Sequence, residues 1–394
     1  MKKKIQYGLA LGGGGTRGAY QAGVAKALKE MKIDIVSVSG TSVGAINGAL
    51  IVQNDVDKMA ELYKNISFND IFKTEIELDT TKDIFDAKNI FKIIGEYIKN
   101  NGLDNTALRD TLEKYLDIEK IYKAKCDFGT LAYSVTDKEG SSCFKKDIPK
   151  EEFIDRILAS ACFPIFKTQK INNEEFLDGG MADVIPINML IENGLKNIIA
   201  VDIEGPGITQ NTISKNVNIK LIYPKEDLGG IFEFNKDTIE HNINMGYLDT
   251  LKSFNELQGH KYFFSPCEFF KILKKFNVQT IYGLECAAEL YEIEKYKVYK
   301  FDEFIDILIR RHDAAKRKYT SVKDTFDISN ILEKSKELES IINSNLGICI
   351  VMDILSIRPT LRNNKLMQKN LYEYFLATDA IKELMNKVWD KWKE

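Results

Sequence analysis

Gly40-Thr41-Ser42-Val43-Gly44 sets a serine between two close glycines, a pattern that can lift a hydroxyl out of a sharp turn and offer it as a nucleophile. Such a hydroxyl attacks a carbonyl only when a base takes its proton, and the usual base is histidine. The chain has three histidines, His241, His260 and His312, and none comes before residue 241. Either one of them folds back onto Ser42, or a carboxylate does the work. Small residues are common at strand-helix turns, so the pentapeptide gains its meaning from context.

A second glycine cluster, Gly12-Gly13-Gly14-Gly15-Thr16-Arg17-Gly18, satisfies the spacing Gly-x-Gly-x-x-Gly at Gly13, Gly15 and Gly18. Between a strand and a helix that spacing can hold a dinucleotide. A nicotinamide or flavin site also wants an acid at the end of the second strand, about 20 residues on, to bind the ribose. That strand ends instead in Ser37-Val38-Ser39-Gly40, and Asp34 lies at its start. A phosphate loop is excluded more firmly, because Thr16-Arg17 stands where a Gly-Lys-Ser/Thr ending is required. Glycines at a helix start can also aim backbone N–H groups at an anion, and a tetrahedral oxyanion is such an anion. Their plainest use is a tight turn.

Asp178-Gly179-Gly180 is the third candidate. Two glycines after an acid permit close backbone approach and leave the carboxylate free, although an aspartate in an ordinary β-turn is the commoner meaning of these residues.

Simple elements must carry these groups. Ile5 to Leu11 is a short apolar run, and Ala19 to Met31 has apolar residues at helical spacing. Ile33 to Ser39 is β-branched and breaks at Gly40 into a second helix from about Val43 to Gln53. The order β-α-β-turn-α predicts adjacent parallel strands, which puts the glycine loop and the serine turn on one rim, where open α/β sheets bind ligands. From Asp55 to about Leu116 the pattern is helical but interrupted. Asp137-Lys138-Glu139-Gly140 and Asn172-Asn173 are hairpin turns, and the helix over Glu151 to Ala161 must stop at Phe163-Pro164. Asn197 to Asp202 and Asn218 to Tyr223 read as further buried strands. Beyond about Asn255 strand signals fade, and Glu289 to Lys318, Ile331 to Asn343 and Leu371 to Lys391 read as amphipathic helices. The expected division is therefore residues 1–255 and a mainly helical region 256–394, with no Gly/Ser/Pro linker marking the boundary.

Composition narrows the class. The 394 residues are 44% hydrophobic and 29% charged, ordinary values for a globular chain, and a formal charge of −3 gives no electrostatic case for nucleic acid. Cys126, Cys143, Cys162, Cys267, Cys286 and Cys349 are scattered, without a Cys-x-x-Cys pair, and read as reduced thiols in a cytoplasmic chain. Lys2-Lys3-Lys4 ahead of an apolar run hints at a secretory leader, but Gly12 to Gly15 and Arg17 interrupt the run too soon. No uncharged apolar run approaches the ~20 residues that span a bilayer, so any membrane contact is expected to be peripheral. Oligomeric state leaves no mark in the sequence.

Taken in order, Gly13-Gly14-Gly15-Thr16-Arg17-Gly18, Gly40-Thr41-Ser42-Val43-Gly44 and Asp178-Gly179-Gly180 resemble the patatin-like phospholipase family. Ala159-Ser160-Ala161-Cys162-Phe163-Pro164-Ile165-Phe166, Val184-Ile185-Pro186-Ile187 and Gly246-Tyr247 add to the likeness, which covers about residues 5 to 255. The resemblance implies a three-layer α/β/α fold with a mostly parallel central sheet, plus the C-terminal helical region outside it. It further implies an acyl hydrolase for lipid or lysolipid esters that needs no metal or organic cofactor. Ser42 would be the nucleophile and Asp178 the base, with an oxyanion hole from Gly14 and Gly15, shaped by Gly13. Arg17 would fill the loop's basic position, and Gly18, Gly40, Gly44, Gly179 and Gly180 would support the turns. Two other readings compete: a nucleotide-binding oxidoreductase built on the first glycine loop, and a catalytically silent lipid-binding scaffold. The stretches Ile66 to Phe72 and Ile84 to Phe91 could line an acyl channel or a lid, although core packing is the commoner fate of such residues.

Overall fold

The computed structural model describes residues 5–73, 102–323, 344–363 and 365–391. Lys2-Lys3-Lys4, Ile84 to Phe91 and the helix expected over Ile331 to Asn343 lie outside the described residues. The chain divides into two compact units, Met1–Ser253 and Phe254–Glu394.

The first unit begins with β1 (Gln6–Leu11), α1 (Ala19–Glu30), β2 (Asp34–Thr41) and α2 (Val43–Val52). The helices α3 (Val56–Asn65), α4 (Thr106–Tyr115) and α5 (Ile118–Lys123) precede the hairpin of β3 (Asp127–Ser134) and β4 (Glu139–Phe144). Then come α6 (Phe153–Ser160), the hairpin of β5 (Gln169–Ile171) and β6 (Glu174–Asp178), α7 (Ile187–Glu192), β7 (Asn197–Val201), β8 (Asn218–Ile222) and α8 (Lys236–Ser253).

Following hydrogen-bonded neighbours, the sheet runs β5-β6-β3-β2-β1-β7-β8, with β4 also on β3. The strands β3, β2, β1, β7 and β8 are mutually parallel, and the two hairpins add antiparallel pairs. Central strands read as unbroken apolar runs because both faces are covered. On one face Ala10, Ile198 and Ala200 pack with Leu190 of α7. On the other, the cross-strand row Leu9, Val38 and Phe128 lies under α2, whose Gly48 would bring a Cβ to 3.1 Å from Val38 and 3.2 Å from Phe128. Helices on both faces make this a three-layer α/β/α arrangement around a mostly parallel sheet.

The strand β8 departs from expectation. It is the outer edge of the sheet, so Ile219 and Leu221 are exposed and only Ile222 is buried. Periodicity identifies a strand, whereas its place in the sheet decides its burial.

One register detail positions the chemistry. β4 occupies one edge of β3 from Gly129 to Ser134. The opposite edge is shared: β2 holds it up to the pair Thr41–Leu131, and β6, running the other way, holds it from the pair Asp178–Ala132. The two strands meet nearly end to end, and their last residues stand on consecutive rungs of β3.

In the second unit, β9 (Phe263–Phe264) pairs in parallel with β10 (Val298–Tyr299) beside α9 (Pro266–Leu273), α10 (Val278–Leu290), α11 (Phe301–Val322), α12 (Gly347–Ile357) and α13 (Lys365–Lys391). Tyr262, Phe264, Phe304, Leu308 and Ile381 are core residues here. The helix expected over Glu289 to Lys318 is broken between α10 and α11. Tyr291, Ile293, Tyr296 and Tyr299 are all buried there, a spacing no single helix face can satisfy. The Tyr262 hydroxyl also donates to Ile293 O at 2.8 Å, fixing the break.

Candidate active site

Ser42 is the last residue before α2 and has φ 56°, ψ −128°. A non-glycine residue so held costs of order 1–3 kcal/mol and persists only where neighbours over-determine it. A Cβ on Gly40 would lie 2.2 Å from Gly44 O, and one on Gly44 would lie 2.2 Å from Leu11 O, so the turn closes only with both glycines. The Thr41 hydroxyl donates to Asp183 O at 2.9 Å, and the Ser42 N–H donates to Ser160 Oγ at 3.0 Å.

The glycine loop lies directly against this turn, since a Cβ on Gly13 would stand 3.1 Å from Ser42 Cβ. Gly12 N donates to Val201 O and Gly13 N to Val184 O. Gly13 is thereby a spacer and not a free donor. Gly14 and Gly15, at φ 153° and 58°, start a short 3-10 turn over Gly15–Gly18, and their N–H groups have no acceptor among the described residues. Behind them, Thr16 N donates to Ile231 O, the Thr16 hydroxyl to Gly230 O, and Arg17 to Gly229 O and Glu204 O, each of the Arg17 bonds at 2.7 Å. Arg17 therefore ties the loop to two neighbouring segments through its guanidinium. Gly18 O accepts from Asn47, which also bonds Gln21 and Tyr63 in a buried polar cluster.

Asp178 ends β6 and is buried. Its Oδ1 accepts from Gly180 N at 2.8 Å, while Oδ2 has no hydrogen-bond partner among the described residues. Burial pushes its pKa from an ordinary 3.8 up to about 6, with the nearby Ser42 hydroxyl and the Gly180 amide drawing it partly back. The serine is thus close enough to feel the carboxylate, yet no bond to Oδ2 is formed, the slack that resting sites often show before substrate tightens them.

These groups open into one cavity of about 880 Å³, its mouth included. Gly13, Gly14, Gly15, Ser42, Asp178 and Gly180 line one end, and the remaining wall is almost wholly apolar, with Ile46, Leu62, Ile66, Ile71, Phe163 and Phe232. The stretch Ile66 to Phe72 divides between the cavity wall and core packing. Ile66 and Ile71 face the cavity, while Phe68 and Phe72 stack at 4.6 Å and pack with Phe166 and Phe232. No histidine lines the cavity. His241 lies 3.7 Å from Glu226, and His312 in the second unit bonds the Tyr291 hydroxyl.

Sequence reasoning brought Ser42, Asp178 and the glycine loop together, and the structure has them at one cavity end. It did not foresee the Ser160 contact, nor the segment 229–233 behind the loop. Ser160 at least stood in a run of small residues before a proline; the segment 229–233 carries no local pattern at all.

The arrangement is that of an α/β domain with a serine on a strained strand-helix turn, a buried carboxylate beside it and open amides in the lining of an apolar cavity. Residues 9–191 match the family model described as Patatin-like phospholipase. A lysophospholipase NTE1 of Chaetomium globosum is 27% identical over 316 residues, covering 72% of this chain and 18% of its own length. A lysophospholipase nte1 of Aspergillus terreus is 57% identical over 47 residues, covering 12% of this chain and 3% of its own. The chain thus spans less than a fifth of the length of these relatives. The crystal structure of VipD from Legionella pneumophila superposes with a TM-score of 0.41 at 12% identity, over 97% of this chain and 90% of that chain, a likeness too slight to carry an argument.

If Asp178 takes a proton during the reaction, kcat/KM on a soluble ester should fall by roughly tenfold per unit as pH drops below about 6. The sign follows from the role: the base works as carboxylate, which predominates above its pKa. An acid limb near pH 4 would mean that the working group is an ordinary exposed carboxylate.

Proposed function

We propose that residues 1–255 form a lipid acyl hydrolase domain in which Ser42 is the nucleophile and Asp178 the general base. The observation that carries this reading is the partnerless Oδ2 of buried Asp178 beside a serine held at φ 56°, at the polar end of an apolar cavity. Ser42 Oγ bonds to the ester carbonyl carbon while its proton passes to Asp178 Oδ2. The carbonyl oxygen becomes an oxyanion facing the Gly14 and Gly15 N–H groups, with the N-terminal end of α2 adding a favourable dipole. The intermediate collapses, the C–O bond to the alcohol or lysolipid breaks, and that oxygen leaves with the proton from Asp178. Water then attacks the acyl-serine, Asp178 takes its proton, and the free acid departs as Ser42 Oγ is reprotonated.

The apolar walls suit an acyl chain, and lysophospholipids are among the candidate esters because the relatives carry that name. Among the described residues no helix is long and apolar enough to cross a membrane. We also infer cytoplasmic residence with peripheral contact to lipid.

The test is hydrolysis of short-chain esters, lysolipids and diacyl lipids by wild type and Ser42→Ala, with fluorophosphonate labelling alongside. We expect Ser42→Ala to lose labelling and turnover, and His241→Ala to keep turnover within about twofold. Full loss on removing His241 would overturn the serine-aspartate pair. Failure of wild type to label would favour the silent scaffold.

A further inference from the structure

The end of α6 holds the backbone of both proposed reacting residues. Ser160 is the last residue of that helix and fully buried. Its hydroxyl accepts from the Ser42 N–H at 3.0 Å and donates to Leu131 O at 2.6 Å, so both of its bonding directions are used and its position is fixed. Two residues on, Cys162 O accepts from Asp178 N at 2.8 Å. Pro164 forces the chain out of the helix after this point, and Ala161, Phe163 and Phe166 then line the cavity. One short segment thus grips the amide of Ser42 and the amide of Asp178, and it braces the first grip against the rung of β3 where β2 stops.

We propose that Ser160 is a positioning residue for acyl transfer, holding Ser42 in its strained conformation and so at working distance from Asp178. The inference rests on the acyl-hydrolase reading. Ser42 precedes the first turn of α2, so its N–H has no acceptor within that helix, and without Ser160 it would be a part-buried unpaired donor. Removing the Ser160 hydroxyl leaves that N–H and Leu131 O both unpaired, which lets the turn relax and carries Ser42 Oγ away from the carboxylate. Misplacement on the scale of an ångström costs reactions of this kind about 100-fold in rate.

The experiment compares wild type, Ser160→Ala and Ser160→Thr on a soluble short-chain ester, with dodecanoate binding to each as a measure of the cavity. For Ser160→Ala we expect kcat to fall roughly 10- to 100-fold with KM and dodecanoate affinity within about twofold of wild type. Its acid limb should move to higher pH, because Ser42 no longer draws down the Asp178 pKa, and Ser160→Thr, which keeps the hydroxyl, should recover most of kcat. Wild-type kcat in Ser160→Ala overturns the proposal. So does a parallel loss of kcat and dodecanoate binding, which would mean general loosening. Should Ser160→Ala not fold, Ser160→Cys, which weakens both bonds at similar volume, is read by the same criteria. Absence of Ser42-dependent turnover in wild type is a different failure: it removes the acyl-hydrolase reading and the positioning role with it.

Discussion

Asp178→Asn is expected to lose turnover by at least about a thousandfold and, at pH 8, to unfold at a higher temperature than wild type. The loss follows because an amide nitrogen at Oδ2 cannot take the Ser42 proton. The gain follows from linkage. Asp178 has a native pKa of about 6 against an ordinary 3.8, so between those values the folded state binds more protons than the unfolded one. Stability therefore falls as pH rises through that window, and above it the full cost of a buried carboxylate is present. A rise of about 2 units corresponds to a cost on the order of 3 kcal/mol at neutral pH, which the uncharged asparagine avoids. Thermal unfolding of both proteins at pH 8 and near pH 3.5 checks the sign: the advantage should be present at the first and absent at the second. An asparagine variant less stable at pH 8 would show that the carboxylate is favourably bound in the resting protein.

Gly15→Ala should be less damaging than loss of Ser42 or Asp178 but more damaging than Ser160→Ala. Gly15 has φ 58°, and a Cβ there would lie 1.9 Å from Ile231 O, a backbone atom that cannot swing aside. The loop must move, and with it the two open N–H groups. One such donor is typically worth ~2.7–4 kcal/mol in the transition state, so kcat should drop by about 100- to 1,000-fold even where the protein still folds. Steady-state kinetics on a soluble ester, with thermal unfolding as a control for gross damage, gives the answer. Retention of kcat within threefold would remove these amides from the reaction.

Much of the site could be read from the sequence because its parts are local. Gly40 and Gly44 are needed for a turn five residues long, and Asp178-Gly179-Gly180 places an acid at a strand end; both patterns are complete within a few positions. What could not be read depends on distant partners. Gly13 looks identical to Gly14 and Gly15 until Val184 O captures its amide, and Arg17 reads only as the loop's basic residue until Gly229 O and Glu204 O are found to accept from its guanidinium. The same holds for the fold. The strands and helices of the first unit follow from periodicity, whereas the exposure of β8 follows from its place at the sheet edge. In the second unit, charged residues at helical spacing concealed buried tyrosines that interrupt the helix.

The end-to-end meeting of β2 and β6 along β3 makes the sheet a ruler. Asp178 and Thr41, the residue before Ser42, stand one step of the β3 backbone apart, about 3.4 Å, so β3 and not the joining chain sets the gap across the site. That chain can lengthen, shorten or be exchanged without altering the gap, provided β3, the end of α6 and the β5–β6 hairpin remain. Variation in acyl-chain choice can therefore accumulate in α3, α4, Ile66 and Ile71, which wall the cavity, while the proposed pair stays in register.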